Sequence, residues 1–185
     1  MEKAARALKP EPRDASDLPG LVAAGRTGDP AALAALYRQF AGVAMAVAYR
    51  LLLSRADAED VVHDLFLGLP EALRKYDERG ALAAWLKRVT VRLALSRLRA
   101  PSRREVALEE AGAVGVAPAD PAGRIDLADA LAALPASLRA VLVLKEIEGF
   151  SHAEIAGLLG ISTGASEVRL HRALRALRRA LSEEG

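Results

Sequence analysis

The chain has 185 residues, enough for one domain or two small ones, and is 52% hydrophobic with only 4% aromatic, a balance suited to helices packed through Ala, Leu and Val. It contains no cysteine, which excludes a disulfide framework and any thiolate metal site. The net charge is only +2 at pH 7, but the charges are segregated along the chain, so local fields matter more than the sum. No apolar run reads as approaching the roughly 20 residues that span a bilayer. The opening MEKAARALKPEPRDASDLPG lacks the apolar centre of a signal peptide. A cytoplasmic protein with no membrane insertion is expected.

Residues 1–20 place Pro10, Pro12, Pro19 and Gly20 among charges and read as a disordered tail. Leu21 to Gly25 is a short helix. Gly28-Asp29-Pro30 is a helix start, with Asp29 as cap and Pro30 in the first turn. The helix it opens runs to about Leu53, with Leu33, Leu36, Tyr37 and Phe40 along one face. A second helix begins near Asp57. In DAEDVVHDLFLGLPEALRKYD, residues Val61, Val62, Leu65, Phe66, Leu69 and Leu73 share a stripe, and Asp57, Asp60, Asp64 and Glu71 gather on the far side with Leu67 exposed at their edge. That side is either a solvated acidic face or a docking face, where clustered charge steers a basic partner and an exposed leucine anchors it. Asp60 and His63 have the spacing of a carboxylate–histidine metal pair, but bundle di-metal sites need that pair twice and it occurs once. No metal and no cofactor are expected. Pro70 predicts a kink or a restart.

A third helix spans about Ala81 to Arg99. Leu82, Leu86, Val89 and Leu93 form its core stripe, with Trp85 beside it as a core residue. Lys87, Arg88, Arg92, Arg97, Arg99, Arg103 and Arg104 follow with no acid between them. Such a face binds duplex, or grips single strands by charge and stacking. Residues 101–124 have no sustained apolar period and turn acidic through Glu105, Glu109, Glu110 and Asp120; they read as a linker. Helices resume near Asp126, break at Pro135 and run from about Ala136 to Glu148. No strand pattern occurs. The expected architecture is all-α: two small helical domains, residues 21–100 and 125–185, joined by a flexible linker.

The stretch FSHAEIAGLLGISTGASEVRLHRALRALRRAL, residues 150–181, carries the most information. Ser151 and Glu154 have the spacing of a capping box, flanked by Phe150 and Ile155 as a hydrophobic staple. Gly160 suits the left-handed residue that ends a helix, and Ser162 suits the cap of the next. Two short helices across a glycine turn are the signature of a helix-turn-helix. In the second helix Leu170, Leu174, Leu177 and Leu181 line one stripe beside Ala173. Arg169, Arg172, Arg175, Arg178 and Arg179 cover the other side, with no acid from Val168 to Leu181. A like-charged row costs helix stability unless something such as DNA phosphate neutralises it.

An acidic helix, a basic Trp-bearing helix, a linker and a terminal helix-turn-helix, in that order, resemble bacterial sigma factors, specifically the extracytoplasmic-function (ECF) group of the sigma-70 family. The resemblance is carried by LYRQFAGVAMAVAYRLL, AEDVVHDLFL, YDERGALAAWLKRVTVRLALSRLR and LPASLRAVLVLKEIEGFSHAEIAGLLGISTGASEVRLHRALRALR. It implies a dissociable subunit that binds the β′ and β subunits of core RNA polymerase and promoter DNA. It also implies no enzymatic activity of its own. Region 2 would dock on the clamp helices of β′ through Asp57, Asp60, His63, Asp64 and Leu67. Tyr76, Arg79, Lys87, Arg88, Arg92, Arg97 and Arg99 would recognise and help melt the minus-ten element. Region 4 would set Ser162, Thr163, Ser166, Glu167, Val168, Arg169 and Arg172 at the minus-thirty-five element, in the major groove. The acidic linker would thread the RNA path of the polymerase, and an anti-sigma factor is a further expected partner.

The sequence departs from the family pattern at several of these positions. Ser166, Glu167 and Val168 stand where Val, Lys and Ser are usual; Arg92 and Ser96 stand where Asn and Asp are usual. Ser166 falls near the apolar stripe, so it needs a hydrogen-bond partner, such as a backbone carbonyl one turn back. Val168 falls on the arginine side, where it suits a thymine methyl. These changes bear on which promoter is read. Two other classes compete. An autonomous helix-turn-helix regulator would need an effector or dimerisation domain in place of residues 30–100, and a protein-only adaptor would leave both basic faces solvated. An enzyme is the weakest reading, since His63, His152 and His171 lie far apart and no phosphate loop or nucleophile–base motif occurs.

Overall fold

The structure, a computed structural model, describes residues 17–77, 81–99 and 127–182. The expected linker at 101–124, Arg79, Arg103 and Arg104 lie outside the described residues, as does the tail up to residue 16. Among the described residues every regular element is helical. Helix α1 (Leu18–Arg26) starts inside the stretch expected to be tail. Asp17 caps it by accepting from the Gly20 N–H, and Pro19 sits in its first turn, where a missing N–H costs nothing. Helix α2 (Pro30–Leu52) opens at Asp29, whose carboxylate accepts from the Ala31 and Ala32 N–H groups. It is long and apolar enough to cross a membrane, with a best-window mean hydropathy of 1.4, which corrects the expectation that no segment reaches that length. One face of it receives α1, α3 and α5, with Leu36, Val47, Ala48 and Leu51 fully buried, while Tyr37, Val43 and Tyr49 remain exposed.

The chain leaves α2 through Leu53, a left-handed residue with φ 52° and no glycine to relieve it. Its side chain packs against the core, which offsets a backbone cost of roughly 1–2 kcal/mol. Ser54 then caps α3 (Arg55–Leu67), so that helix begins two residues earlier than expected. Gly68 and Pro70 produce the expected restart: α4 (Leu69–Arg74) carries Pro70 in its first turn. Helix α5 (Leu82–Arg99) completes the N-terminal group and buries Leu82, Leu86, Val91, Ala94 and Leu95.

The C-terminal group begins with α6 (Leu127–Ala132) and α7 (Ala136–Leu142). The helix expected to continue to Glu148 instead widens into a π turn over Val143–Ile147, closed by Glu148 N–H donating to the Val143 carbonyl at 2.9 Å. A π turn holds an extra residue, so the side chain that follows is carried around the axis by about 100°. Helices α8 (His152–Leu159) and α9 (Thr163–Ser182) form the helix-turn-helix. Both halves of the Ser151–Glu154 capping box are made, Phe150 and Ile155 are buried, and Gly160 takes φ 68° as the turn requires. Ser162 Oγ accepts from the Ala165 N–H at 3.1 Å. Ser166 is fully buried, and its hydroxyl shares a 2.9 Å hydrogen bond with His152 Nδ1, not with a carbonyl one turn back. This bond ties the first turn of α8 to the first turn of α9.

One apolar cluster runs through both groups. Val47, Leu51, Val61, Val91 and Leu95 from the N-terminal helices join Leu131, Leu134, Val141, Leu144, Phe150 and Ile155 from the C-terminal ones. Arg139 on α7 is buried beside them. It donates to Leu51 O at the C-terminal end of α2, where a cation is favoured, and to Leu131 O and Leu134 O. Expected as separate bodies on a tether, the two groups are packed together here. The second cluster, built on Leu21, Leu36, Leu69 and Leu73, belongs to the N-terminal helices alone.

Ser166→Ala removes the hydroxyl facing His152 and is expected to lower unfolding free energy by about 1 kcal/mol, read as a shifted urea midpoint at unchanged slope. A cycle with His152→Ala should give a coupling of roughly 0.5–1.5 kcal/mol. Strictly additive effects would contradict the bond.

Candidate nucleic-acid and protein-docking interface

Three charged or apolar surfaces stand out, each set by one helix. The first lies along α3. Leu67 is 72% exposed at its C-terminal end, next to exposed His63 and Asp64 and two turns beyond exposed Asp60; Asp57, in the first turn, is partly buried. Tyr37 from α2 is half-exposed and meets Phe66 edge-on at 4.8 Å, extending the leucine into an apolar strip. The strip borders a cleft of about 820 Å³ floored by Ala41, Gly42 and Met45 and rimmed by Glu59, Asp60 and His63. Tyr37 was expected on the core stripe of α2. It lies about 100° round the helix from buried Leu36, and that offset was the available signal that it faces out.

The second surface is α5, and Lys87, Arg88 and Arg97 on it are already engaged. Arg97 forks between Asp60 and Asp64 on α3, with Nη1–Oδ2 2.9 Å and Nη2–Oδ2 2.8 Å. The Asp64 hydrogen bond raises the proton affinity of that guanidinium further. Lys87 Nζ lies 3.1 Å from Glu148 Oε2, and Arg88 Nη2 lies 2.9 Å from Glu154 Oε1. Glu154 is held below the usual carboxylate range, first by the Ser151 backbone N–H, then by the Ser151 hydroxyl and Arg88. Arg92 and Arg99 are exposed, and with Arg88 they line a cleft of about 530 Å³ against Phe150 and Leu158. Tyr76, expected to face DNA, is instead buried with its ring 5.0 Å from Trp85, which is itself partly buried as expected of a core residue.

The third surface is α9. Leu170, Leu174 and Leu177 pack inward beside fully buried Ala173, while Arg172, Arg175, Arg178 and Arg179 are exposed and Arg169 is partly so. The side chain of Leu181 lies outside the described residues. Thr163 and Glu167 are exposed at the N-terminal end, with Ser162 in the turn before them, and Val168 is 51% exposed among the arginines. Ser166 does not join them: full burial keeps it from any base edge, which corrects its expected place among the DNA contacts. Its hydrogen bond gives it a positioning role. Arg169 and Arg172 carry no ion pair among the described residues, in contrast to Lys87, Arg88 and Arg97.

Two family models match the chain: "Sigma-70 region 2" over residues 36–104 and "Sigma-70, region 4" over residues 124–177. The ECF RNA polymerase sigma factor SigE of Mycolicibacterium smegmatis is 35% identical over 164 residues, which covers 82% of this chain and 63% of that one. The ECF RNA polymerase sigma factor SigL of Mycobacterium tuberculosis is 35% identical over 173 residues, covering 89% of this chain and 97% of that one. Among solved structures, the sigma factor RpoE in complex with the anti-sigma factor NepR from Bartonella quintana aligns with a TM-score of 0.56 at 25% identity, over 79% of this chain and 94% of that one. CnrH in complex with the cytosolic domain of CnrY aligns at 0.55 and 30% identity, over 93% of this chain and 100% of that one. With an acidic apolar-edged helix, a cationic helix and an arginine-faced helix-turn-helix in the order of the two matched regions, the chain belongs to the ECF group of the sigma-70 family of RNA polymerase sigma factors.

Proposed function

We propose that this sigma factor gives core RNA polymerase its promoter choice by three separate contacts, with the α1–α5 group acting as region 2 and the α6–α9 group as region 4. The carrying observation is α9: a recognition helix whose exposed face holds Arg169, Arg172, Arg175, Arg178 and Arg179 and whose opposite face is anchored in the core. Its N-terminal end presents Thr163, Glu167, Val168, Arg169 and Arg172, the positions that meet base edges when such a helix enters the major groove of a minus-thirty-five element. Val168 suits a thymine methyl, and Glu167 accepts from a cytosine amino group. Ser162 caps the helix and presents its N-terminus to a phosphate.

Core polymerase takes the α3 surface. Leu67 and the Tyr37–Phe66 pair supply the apolar anchor, and Asp57, Asp60, His63 and Asp64 the polar surround that steers a basic partner. The minus-ten element takes α5, where Lys87, Arg88, Arg92, Arg97 and Arg99 are the phosphate-directed cations and Arg79 precedes them in the sequence. Binding there requires several of these cations to exchange a carboxylate of the chain for a phosphate. Two solved relatives are held by anti-sigma partners, which supports a regulatory protein of that kind for this chain too. A cytoplasmic location follows from these partners. In vitro transcription with purified core polymerase across a promoter library tests the reading. Promoter-selective initiation dependent on this chain supports it, and tight promoter binding by the chain alone would favour an autonomous regulator.

Leu67→Asp places a charge in the apolar anchor without touching the buried core. Core polymerase binding by pull-down or titration is expected to weaken by about ten-fold or more, with an unchanged melting temperature. Equal affinity would remove α3 from the docking face. Arg169→Glu with Arg172→Glu should weaken binding of holoenzyme to promoters carrying the upstream element and flatten the salt dependence by about two phosphate contacts. Core association should be unaffected; its loss in a folded variant would reverse the assignment of the two surfaces.

A further inference from the structure

The pairing of α5 with the C-terminal group has a chemistry of its own. Glu148 emerges directly after the π turn, and its side chain is only 3% exposed. It meets two cations from the N-terminal group: Arg50 Nη2 at 3.0 Å from Oε1 and Lys87 Nζ at 3.1 Å from Oε2. Lys87 also points at the Glu148 carbonyl, at 3.4 Å. A buried carboxylate is tolerated only while paired, so Glu148 depends on the two groups staying together. The clasp is also imperfect. Glu148 Oε1 and Arg50 Nε are buried without a hydrogen bond, because the Arg50 contact is close but poorly aligned. Glu154 is fixed by its capping box and turns its other oxygen to Arg88.

We infer that Glu148 and Glu154 act as internal phosphate mimics: in the free chain they occupy Lys87 and Arg88, with Arg50 of α2 helping to hold Glu148, so that the C-terminal group masks part of the strand-binding surface of α5, and nucleic-acid phosphates compete with them for Lys87 and Arg88. The inference rests on the proposed role of α5 in the minus-ten contact and adds a regulation to it. Closure and strand binding through Lys87 exclude each other, because its ammonium cannot serve the buried Glu148 carboxylate and a phosphate on a separate chain in the same geometry; at the exposed Arg88–Glu154 pair the phosphate competes directly with the carboxylate. Arg92 and Arg99, exposed in the cleft beside Arg88, are left as the first cations an incoming strand meets. Arg97 stays outside this device, since its partners Asp60 and Asp64 belong to its own group.

The test measures binding of the full-length chain, without polymerase, to a fluorescein-labelled single-stranded 20-mer by anisotropy across a salt series. Glu148→Gln with Glu154→Gln removes both carboxylates, and Gln retains the capping box. The variant is expected to bind about ten-fold more tightly than the unmodified chain, with a salt slope steeper by about one to two. A control carrying Glu71→Gln and Glu146→Gln, which loses the same charge elsewhere, should change by less than about two-fold at unchanged slope. Glu154→Gln alone, which leaves the buried clasp intact, should give a smaller gain in the same direction and covers the case in which the double variant unfolds. Latch variants no tighter than the control would overturn the mask. Transcription with core polymerase separates the two levels: if the unmodified chain initiates at promoters but the latch variants bind no better, the mask alone fails, whereas a chain that never initiates removes the reading beneath it.

Discussion

The cations of α5 and the carboxylates that hold them are the interaction on which the arrangement depends. A helix bearing Lys87, Arg88, Arg92, Arg97 and Arg99 repels itself and cannot be buried uncompensated. The chain meets this with acids from two directions: Asp60 and Asp64 from α3, and Glu148 and Glu154 from the C-terminal helices. The N-terminal half of α9 differs. Arg169 and Arg172 have no carboxylate partner among the described residues, and the helix is held by its leucines and by the Ser166–His152 hydrogen bond. Three cations of one basic surface are therefore occupied while the leading end of the other is open, a difference composition does not reveal.

Under the proposed function, this asymmetry orders the events a promoter requires. The N-terminal half of α9 would be available to duplex from the start, and the α3 strip, with Leu67 and the Tyr37–Phe66 pair uncovered, would be available to the polymerase. On the same reading, only α5 has to exchange partners before Lys87, Arg88 and Arg97 hold a strand. The cost of that exchange is spread over an exposed pair, Arg88–Glu154, and a buried but misaligned one at Glu148. The apolar contact between the groups and the Arg139 bond to Leu51 O oppose opening, so electrostatics alone does not separate them. A partner that binds both groups apart, as a polymerase would, supplies the rest.

Local chemistry was legible in the sequence. Asp29-Pro30, the Ser151–Glu154 box, Gly160 and Ser162 each act through the nearest few residues, and each forms as its spacing predicts. The two-faced pattern of α9 was readable for the same reason, since helical periodicity is a local property. Failures occurred where a residue answers to something distant or where two signals compete. Pro19-Gly20 reads as a breaker, yet Asp17 makes it a first turn. The helix expected to begin near Asp57 starts earlier, because the Ser54 hydroxyl accepts from the Asp57 N–H and caps it. The α2 helix passed for an ordinary core segment, although it is as long and apolar as a membrane span. Leu53 holds a left-handed turn without glycine because the core holds its side chain. The site followed the same rule: the residue types were readable, but the pairings between residues 33 to 88 positions apart, and the burial of Tyr76 and Ser166, are products of the tertiary fold.

The most direct measurement uses the absence of native cysteine, which allows clean spin labelling. Labels at exposed Ala84, one turn before Arg88, and exposed Gly157, one turn after Glu154, flank the contact between the two groups. Electron–electron double resonance should give a narrow short distance in the free chain and a longer one in a transcribing complex of the chain, core polymerase and promoter. The same short distance in both states would mean that promoter DNA is engaged without uncovering α5, which contradicts the account.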